Sequence, residues 1–408
     1  MTVCFRASND KTKQYRPLTL LLLRDTCREC RIAMTSSRKF KIGDSQTMQG
    51  SLPAASAQSR RTRLQSASSH GLGKAVSRIV LRLGRRVFIL LAVSIVVFVV
   101  LRLLPTDPTA MLLSPNAPRS ELIALRHSLG FDKPMPLQYL QWLGHAVRGD
   151  FGTSLQNNQA VGPQIWAALP TTLQLLVGGL LLGVLTGIGT GIYAFKRRGT
   201  RAEAVAELGN GVAISVPDFL WGIVLILGFG IALKWLPFIG QIDSAYTVAP
   251  HTGFLLLDTL IDGQFLAFGN ALMHLILPCV ALGMGIAPPL MRILRSSLLD
   301  TFAEDYITAA RLRGLSESQI LRIHGLRNAA LPTLNILAMQ ISLLIGGTLL
   351  IEKVFGMPGI GNLMITAISA HDLPMIQALA MIYALCVQVV NGLTDALEVV
   401  FNPRLRFQ

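Results

Sequence analysis

ITAARLRGLSESQILRIHGLRNAALP, from Ile307 to Pro332, is charged and helix-prone, yet it lies between two apolar runs, Ala271–Met291 and Leu331–Ile351. A bilayer-crossing helix takes roughly 20 mostly apolar residues. The flanking runs meet that length, and the stretch itself is too polar to join them. Its own punctuation divides it in two. Gly314 stands where a C′ glycine would end a first helix over about Ala303–Arg313. Ser316, with Gln319 three residues on, forms a capping box that starts a second helix, and Leu315 and Ile320 hold the hydrophobic-staple positions around that cap. In the first helix Phe302, Tyr306 and Ala309 line one face, while Arg311 and Arg313 near its C-terminus complement the dipole. Pro332 marks the start of the next span. These residues predict a polar helical pair clamped between two membrane spans, with the small Ala309–Ala310 face held stiff enough to sit in a partner's cleft. On pattern alone, a loop that merely folds stays open.

The rest of the chain supplies the membrane. Of 408 residues, 51% are hydrophobic and 14% charged, and the mean hydropathy is +0.50. Besides the two runs above, apolar segments cover Val87–Leu104, with Arg102 near enough to an end to snorkel, Pro170–Phe195, Val205–Leu236 interrupted at Pro217, and Met375–Val400. The fold class predicted is all-α integral membrane with six transmembrane helices. Lys and Arg set the orientation. One side collects Arg78, Arg82, Arg85 and Arg86, then Lys196, Arg197, Arg198 and Arg201, then Arg292, Arg295 and the arginines of the opening stretch, then Arg404 and Arg406. The segment Pro237–Asn270 on the other side has no Lys or Arg. Both termini and the polar pair are therefore expected in the cytoplasm.

The net charge of +15 suggests a nucleic-acid partner until it is located. Residues 1–86 hold 18 Lys and Arg against 4 Asp and Glu, which leaves 19 against 18 for the remainder. The body of the chain offers nothing to a polyanion, and no aromatic–basic interleaving is present. The basic region over 1–76 is rich in Ser, Arg, Gln and Ala, has too little apolar surface to offset ordering entropy, and is expected to be disordered. Met34 and Met48 lie within it, so translation starting at Met1, Met34 or Met48 is equally compatible with the pattern. "PLTLLLL" (Pro17–Leu23) is followed by "RDTCREC", not by small cleavage-site residues, and is not a signal peptide. Cys27 and Cys30 form a CxxC with no second pair at zinc spacing, while Cys279 and Cys386 lie in apolar segments as packing residues. The chain thus divides into an extension over 1–76, a first span with its outer segment over 77–169, and a five-helix core over 170–408 that includes the loop 303–332. In the outer segments, Tyr139 and Trp142 suit a membrane–water interface. Asp258 and Asp262 turn "GFLLLDTLIDGQFLAF" into an interfacial helix rather than a seventh span.

"TAARLRG", Thr308 to Gly314, resembles the cytoplasmic EAA loop of binding-protein-dependent ABC transporter permeases: Glu-Ala-Ala, three residues, then Gly. Thr308 replaces the Glu, while Ala309, Ala310 and Gly314 match. The longer interval from Gly314 to Pro332 is similar to the dipeptide/oligopeptide/nickel branch, in which the loop follows ARxxGLxxxxxxxxHxLRNAxxP; "ARLRGLSESQILRIHGLRNAALP" fits it. The likeness extends through "VFVVLRLLPTDP", "ISVPDFLWGIVLILGFGIALKWLP", "GGTLLIEKVFGMPGIGNLMITAI" (Gly346–Ile368) and the ending "NPRLR", and so covers about Ser77 to Arg406.

The resemblance implies a type I ABC importer permease fold in a bacterial cytoplasmic (inner) membrane. It also implies a pore shared with a second, different permease chain, two ATPase subunits docked from the cytoplasm, and a periplasmic binding protein that delivers substrate. Docking on the ATPases would fall to Thr308, Ala309, Ala310, Arg311, Arg313, Gly314, Leu315 and Ser316. ATP and magnesium would be used by the partner; this chain would bind no cofactor and be no enzyme. Its own sequence agrees: "GLGKA" (Gly71–Ala75) fails the P-loop pattern, with no hydroxyl after the lysine.

Gly179, Gly183, Gly187 and Gly191 repeat every fourth residue along the second span, a ridge that lets helices approach closely. Asp218 follows Pro217 within the third span. A carboxylate there costs roughly 2.5–3.5 kcal/mol on insertion scales, so it should face a pore, a partner or water, unless it caps the helix break. The family often has a small polar residue at this place. The path candidates are Ser215, Pro217, Asp218, Glu352 and Phe355; Glu352 leads into the turn-forming "KVFGMPGIG", which in this family lies near the outer gate. His274 is expected to be a packing residue, and Asp395 and Glu398 are expected to pair with Arg404 or Arg406. The predicted substrate is a di- or oligopeptide, with nickel or a metal chelate as the alternative within the branch. An intramembrane hydrolase would need paired catalytic groups at one depth, such as two aspartates or Ser with His, and Asp218 lacks a plausible Asp partner at matching depth. A receptor or scaffold without transport could share the topology.

Overall fold

A computed structural model describes residues 81, 83–103, 118, 120 and 132–401. The extension over 1–76, the alternative starts and the pairings expected of Glu398, Arg404 and Arg406 lie outside the described residues. In chain order the helices are α1 (Leu83–Leu103), α2 (Met135–Val147), α3 (Val161–Lys196), α4 (Arg201–Ser215), α5 (Asp218–Ala232, its second half π-helical), α6 (Leu255–Ile261), α7 (Phe265–Phe302), α8 (Asp305–Leu312), α9 (Glu317–Val354), α10 (Ile360–Ser369) and α11 (Leu373–Phe401). The sole β pairing among the described residues is an isolated antiparallel bridge between Thr153 and Ala160.

Helices α1, α3, α7, α9 and α11 are each long and apolar enough to cross a membrane, and α4 with α5 passes as a sixth span bent by 104°. The bend falls where the sequence predicts it. Pro217 has no N–H to donate and drives Val216 into an extended conformation, with φ −111° and ψ 126°. The segment Gly253–Phe268, expected as one interfacial helix, resolves into the seven-residue α6 and the start of α7. Asp258 in α6 is buried, and burial alone would raise its pKa. Donation from the Thr252 hydroxyl at 2.6 Å, the Thr252 N–H at 2.8 Å and the Gly253 N–H outweighs this and holds it below the usual carboxylate range.

The core forms where α3 lies along α7. A Cβ on Gly179 would come within 2.6 Å of the Leu282 Cβ, and one on Gly183 within 2.7 Å of the Ile286 Cβ. Gly187 and Gly191 meet Leu290 and Leu294 in the same way. Both rows advance by four, so the glycine ridge seats the row of larger side chains on α7 and brings the backbones together. Cys279 is buried over Gly178, and Cys386 is half-buried; both are free thiols. His274 is buried with Nδ1 3.0 Å from the Asn270 carbonyl.

Two expectations, both about the polar stretch, are corrected. The second half of the polar stretch is not a separate short helix ending at Pro332. It continues through a π turn at Leu321–Gly325 into the next span, and Pro332 lies inside α9. A helix buttressed by membrane neighbours tolerates the hydrogen bond that an internal proline removes. The first half is shorter than expected, Asp305–Leu312. Asp395 pairs at 2.8 Å with Arg86 of α1, which fastens the first span to the last. Tyr139 and Trp142 of α2 stack against Phe98 of α1, with ring centroids 5.4 and 6.4 Å away, and the Tyr139 hydroxyl shares a 2.7 Å hydrogen bond with Ser94.

Candidate functional site

The polar helical pair is built as a small folded unit on the basic end of the bundle. Gly314 takes φ +81°, a left-handed conformation that costs a β-carbon-bearing residue energy, and turns the chain between α8 and α9. The capping box is formed: the Ser316 hydroxyl accepts from the Gln319 N–H, and the Gln319 side chain accepts from the Ser316 N–H at 2.9 Å. Ile307, Ala310 and Ile320 close a miniature core, with Phe302 and Leu315 packed on it, so both staple residues contribute. Here the structure amends the expected docking face. Ala310 is 4% exposed and belongs to that core, whereas Thr308, Ala309, Arg311, Arg313, Gly314 and Ser316 are exposed and Leu315 half-buried. Leu312, 85% exposed, adds an apolar projection that the sequence reading passed over. Arg311 spans the turn to Glu317 at 2.6 Å, and that carboxylate raises the guanidinium's pKa above its ordinary value.

This unit is bolted to the spans. Phe302 stacks edge-on against Phe195 of α3 at 4.7 Å, and Arg198 lies over the Phe195 ring at 4.8 Å. Gly325 fits beside Phe302 and Leu298, where a Cβ would come within 2.9 Å of the Phe302 ring. Arg295 of α7 binds Glu203 and, at 2.8 Å, Glu207 of α4. Sequence reasoning missed Gly325; a glycine inside a helical pattern was its only signal.

The five path candidates fall in separate places. Pro217 and Asp218 line an open cavity of about 240 Å³ at the break between α4 and α5, lined also by Gly285 of α7 and by Gln340 and Leu343 of α9. Asp218 Oδ1 accepts the Phe219 N–H at 2.9 Å, while Oδ2 lies over Gly347, where a Cβ would collide with it. The Ser215 hydroxyl donates to the Gly211 carbonyl of its own helix at 2.7 Å. Glu352 and Phe355 are 0% and 1% exposed. Glu352 accepts from Thr172 of α3 at 2.6 Å and from the Gly361 and Asn362 N–H groups at 2.7 and 3.0 Å, so it caps the N-terminus of α10. Phe355 packs against Gly222 of α5 and Ile351. Glu352 and Phe355 therefore lock the turn at the end of α9 rather than line the cavity.

Residues 165–407 match the family described as binding-protein-dependent transport system inner membrane component, and residues 76–176 match its N-terminal counterpart. The di/tripeptide transport system permease protein DppB of Pseudomonas aeruginosa (strain UCBPP-PA14) is 35% identical over 335 residues, 82% of this chain and 99% of that one. The glutathione transport system permease protein GsiC of Salmonella choleraesuis (strain SC-B67) is 32% identical over 319 residues, 78% and 95% of the two chains. Among solved structures, an inward-facing form of the MetNI methionine ABC transporter matches with a TM-score of 0.44 at 17% identity, over 59% of this chain and 98% of that one.

Proposed function

This chain belongs to the family of binding-protein-dependent transport system inner membrane components, and on that premise we propose that it is one half of the pore of an ATP-driven importer of di- or oligopeptides. Relatives named for di/tripeptide and glutathione transport support the peptide class over nickel or a metal chelate. The basic flanks support placing the polar pair and both termini in the cytoplasm of a bacterial inner-membrane system. A second permease chain completes the pore, two ATPase subunits bind the polar pair, and a periplasmic protein delivers the peptide. ATP and magnesium act on the ATPases.

The observation that carries this reading is the continuity of α9. Its first turns form the polar unit with α8, and its 38 residues run on to the Glu352 turn at the far end. At 1.5 Å per residue that is a rod of about 57 Å. Displacement of the exposed surface of Thr308, Ala309 and Arg311–Arg313 by an ATPase moves the base of this rod, and the rod carries the displacement across the membrane. The test is Gly314→Pro. Proline fixes φ near −65° and cannot take the +81° found at Gly314. The variant should insert and accumulate as wild type, while ATP-dependent uptake of labelled Ala-Ala drops to background. Uptake at the wild-type rate would remove the coupling role.

A further inference from the structure

Among the described residues, Asp218 has no cationic partner, and no Lys, Arg or His lines its cavity. Its surroundings are nonetheless built around it. The Phe219 N–H holds Oδ1, and the start of α5 favours a negative charge. Two helices present glycine to the carboxylate: Gly347 of α9 beneath Oδ2, and Gly285 of α7, where a Cβ would stand 4.0 Å from the same oxygen. A larger residue at Gly347 would fill the place that Oδ2 occupies. The cavity, about 240 Å³, falls below the roughly 300–1,000 Å³ of pockets that enclose a whole ligand, so it accommodates an end group.

We propose that Asp218 and the cavity at the bend of the third span form a transit site for a positively charged group of the peptide, its terminal ammonium or a basic side chain. The inference rests on the peptide-importer reading and assigns it a charge preference. A half-buried carboxylate with one protein hydrogen bond gains most from a hydrogen-bonding cation. The rim supplies the rest: Ile214 and Leu343 accept apolar parts of any sequence, so the site discriminates charge and little else.

The experiment compares uptake of labelled Lys-Ala and Glu-Ala by the complete transporter in proteoliposomes with its own binding protein. The ratio of the two rates does not depend on how much transporter has folded, and the binding protein's own preference divides out between variants. Asp218→Asn should lower the Lys-Ala to Glu-Ala ratio about tenfold, the scale of one charge-assisted hydrogen bond, and Asp218→Glu should restore most of it. Gly347→Ala, which leaves the carboxylate in the chain but displaces it, should lower the ratio in the same direction. An unchanged ratio, with both rates falling together, would reduce Asp218 to a structural cap and overturn the proposal. Loss of the second permease chain from the purified Asp218→Asn complex would instead assign the carboxylate to a cation of that chain, and would equally overturn it. Wild type that imports neither peptide would bring down the peptide reading itself, with this site included.

Discussion

At the scale of single residues, Glu352 and Asp218 are both acids inside apolar spans, yet the structure treats them in opposite ways. Glu352 is enclosed and accepts three hydrogen bonds from protein donors, whereas Asp218 accepts one from its own helix and opens on a cavity. For Glu352 the consequence is measurable. Glu352→Gln keeps an acceptor oxygen and should cost about 1 kcal/mol, whereas Glu352→Leu, of similar volume, removes the acceptor of the Thr172 O–H and of two N–H groups, leaves Thr172 only its bond from the Ile360 N–H, and should cost on the order of 3 kcal/mol. Thermal unfolding in detergent would read the difference. Equal losses for the two would mean that the charge, not the cap, matters. The role of Glu352 was illegible in the sequence because its three donors come from Thr172, far away in the chain, and from a turn whose geometry a Gly- and Pro-rich run leaves undetermined.

At the scale of elements, periodic features were legible and pairwise ones were not. The glycine ridge of α3 announced close packing through its four-residue repeat, but its partner row on α7 carries ordinary apolar residues and no mark of its own. The contrast with Gly189 tests the assignment. Gly183→Val would press into Ile286, while a Cβ at Gly189 meets nothing within 4 Å. The first substitution should destabilise the bundle by about 1–3 kcal/mol through overpacking, and Gly189→Val should fall within about 0.5 kcal/mol of wild type, both measured as midpoint shifts in chemical or thermal unfolding. The polar stretch repeats the lesson. Its cap, staple and Gly314 were readable because they are local, but the sequence placed a boundary at Pro332 that does not exist. A proline usually ends a helix in water. Here it lies within a span that packs against α7, and the π turn at Leu321–Gly325 has already rephased the helix. Gly325 and Gly347 owe their importance to Phe302 and Asp218, residues on other elements, and so lacked any local signature.

At the scale of the whole molecule, the six apolar segments and the bend at Pro217 were fixed by hydropathy and one proline, and the structure keeps both, as five helices and one bent pair. What emerges only in three dimensions is that the exposed polar unit and the Glu352 turn are the two ends of one helix, α9. Coupling requires a soluble ATPase to engage the first of those ends. The most direct measurement places a photo-crosslinking residue at Leu312, which is 85% exposed on the polar unit, with a control at Ile239, exposed in the segment between α5 and α6. The tagged complex is then irradiated in native membranes and the crosslinked partner identified by mass spectrometry. A partner bearing a P-loop, captured from position 312, lost from 239 and altered in yield by ATP, is the result predicted. Capture of no such protein from position 312, in membranes that import peptide, would contradict the coupling role of this helical pair.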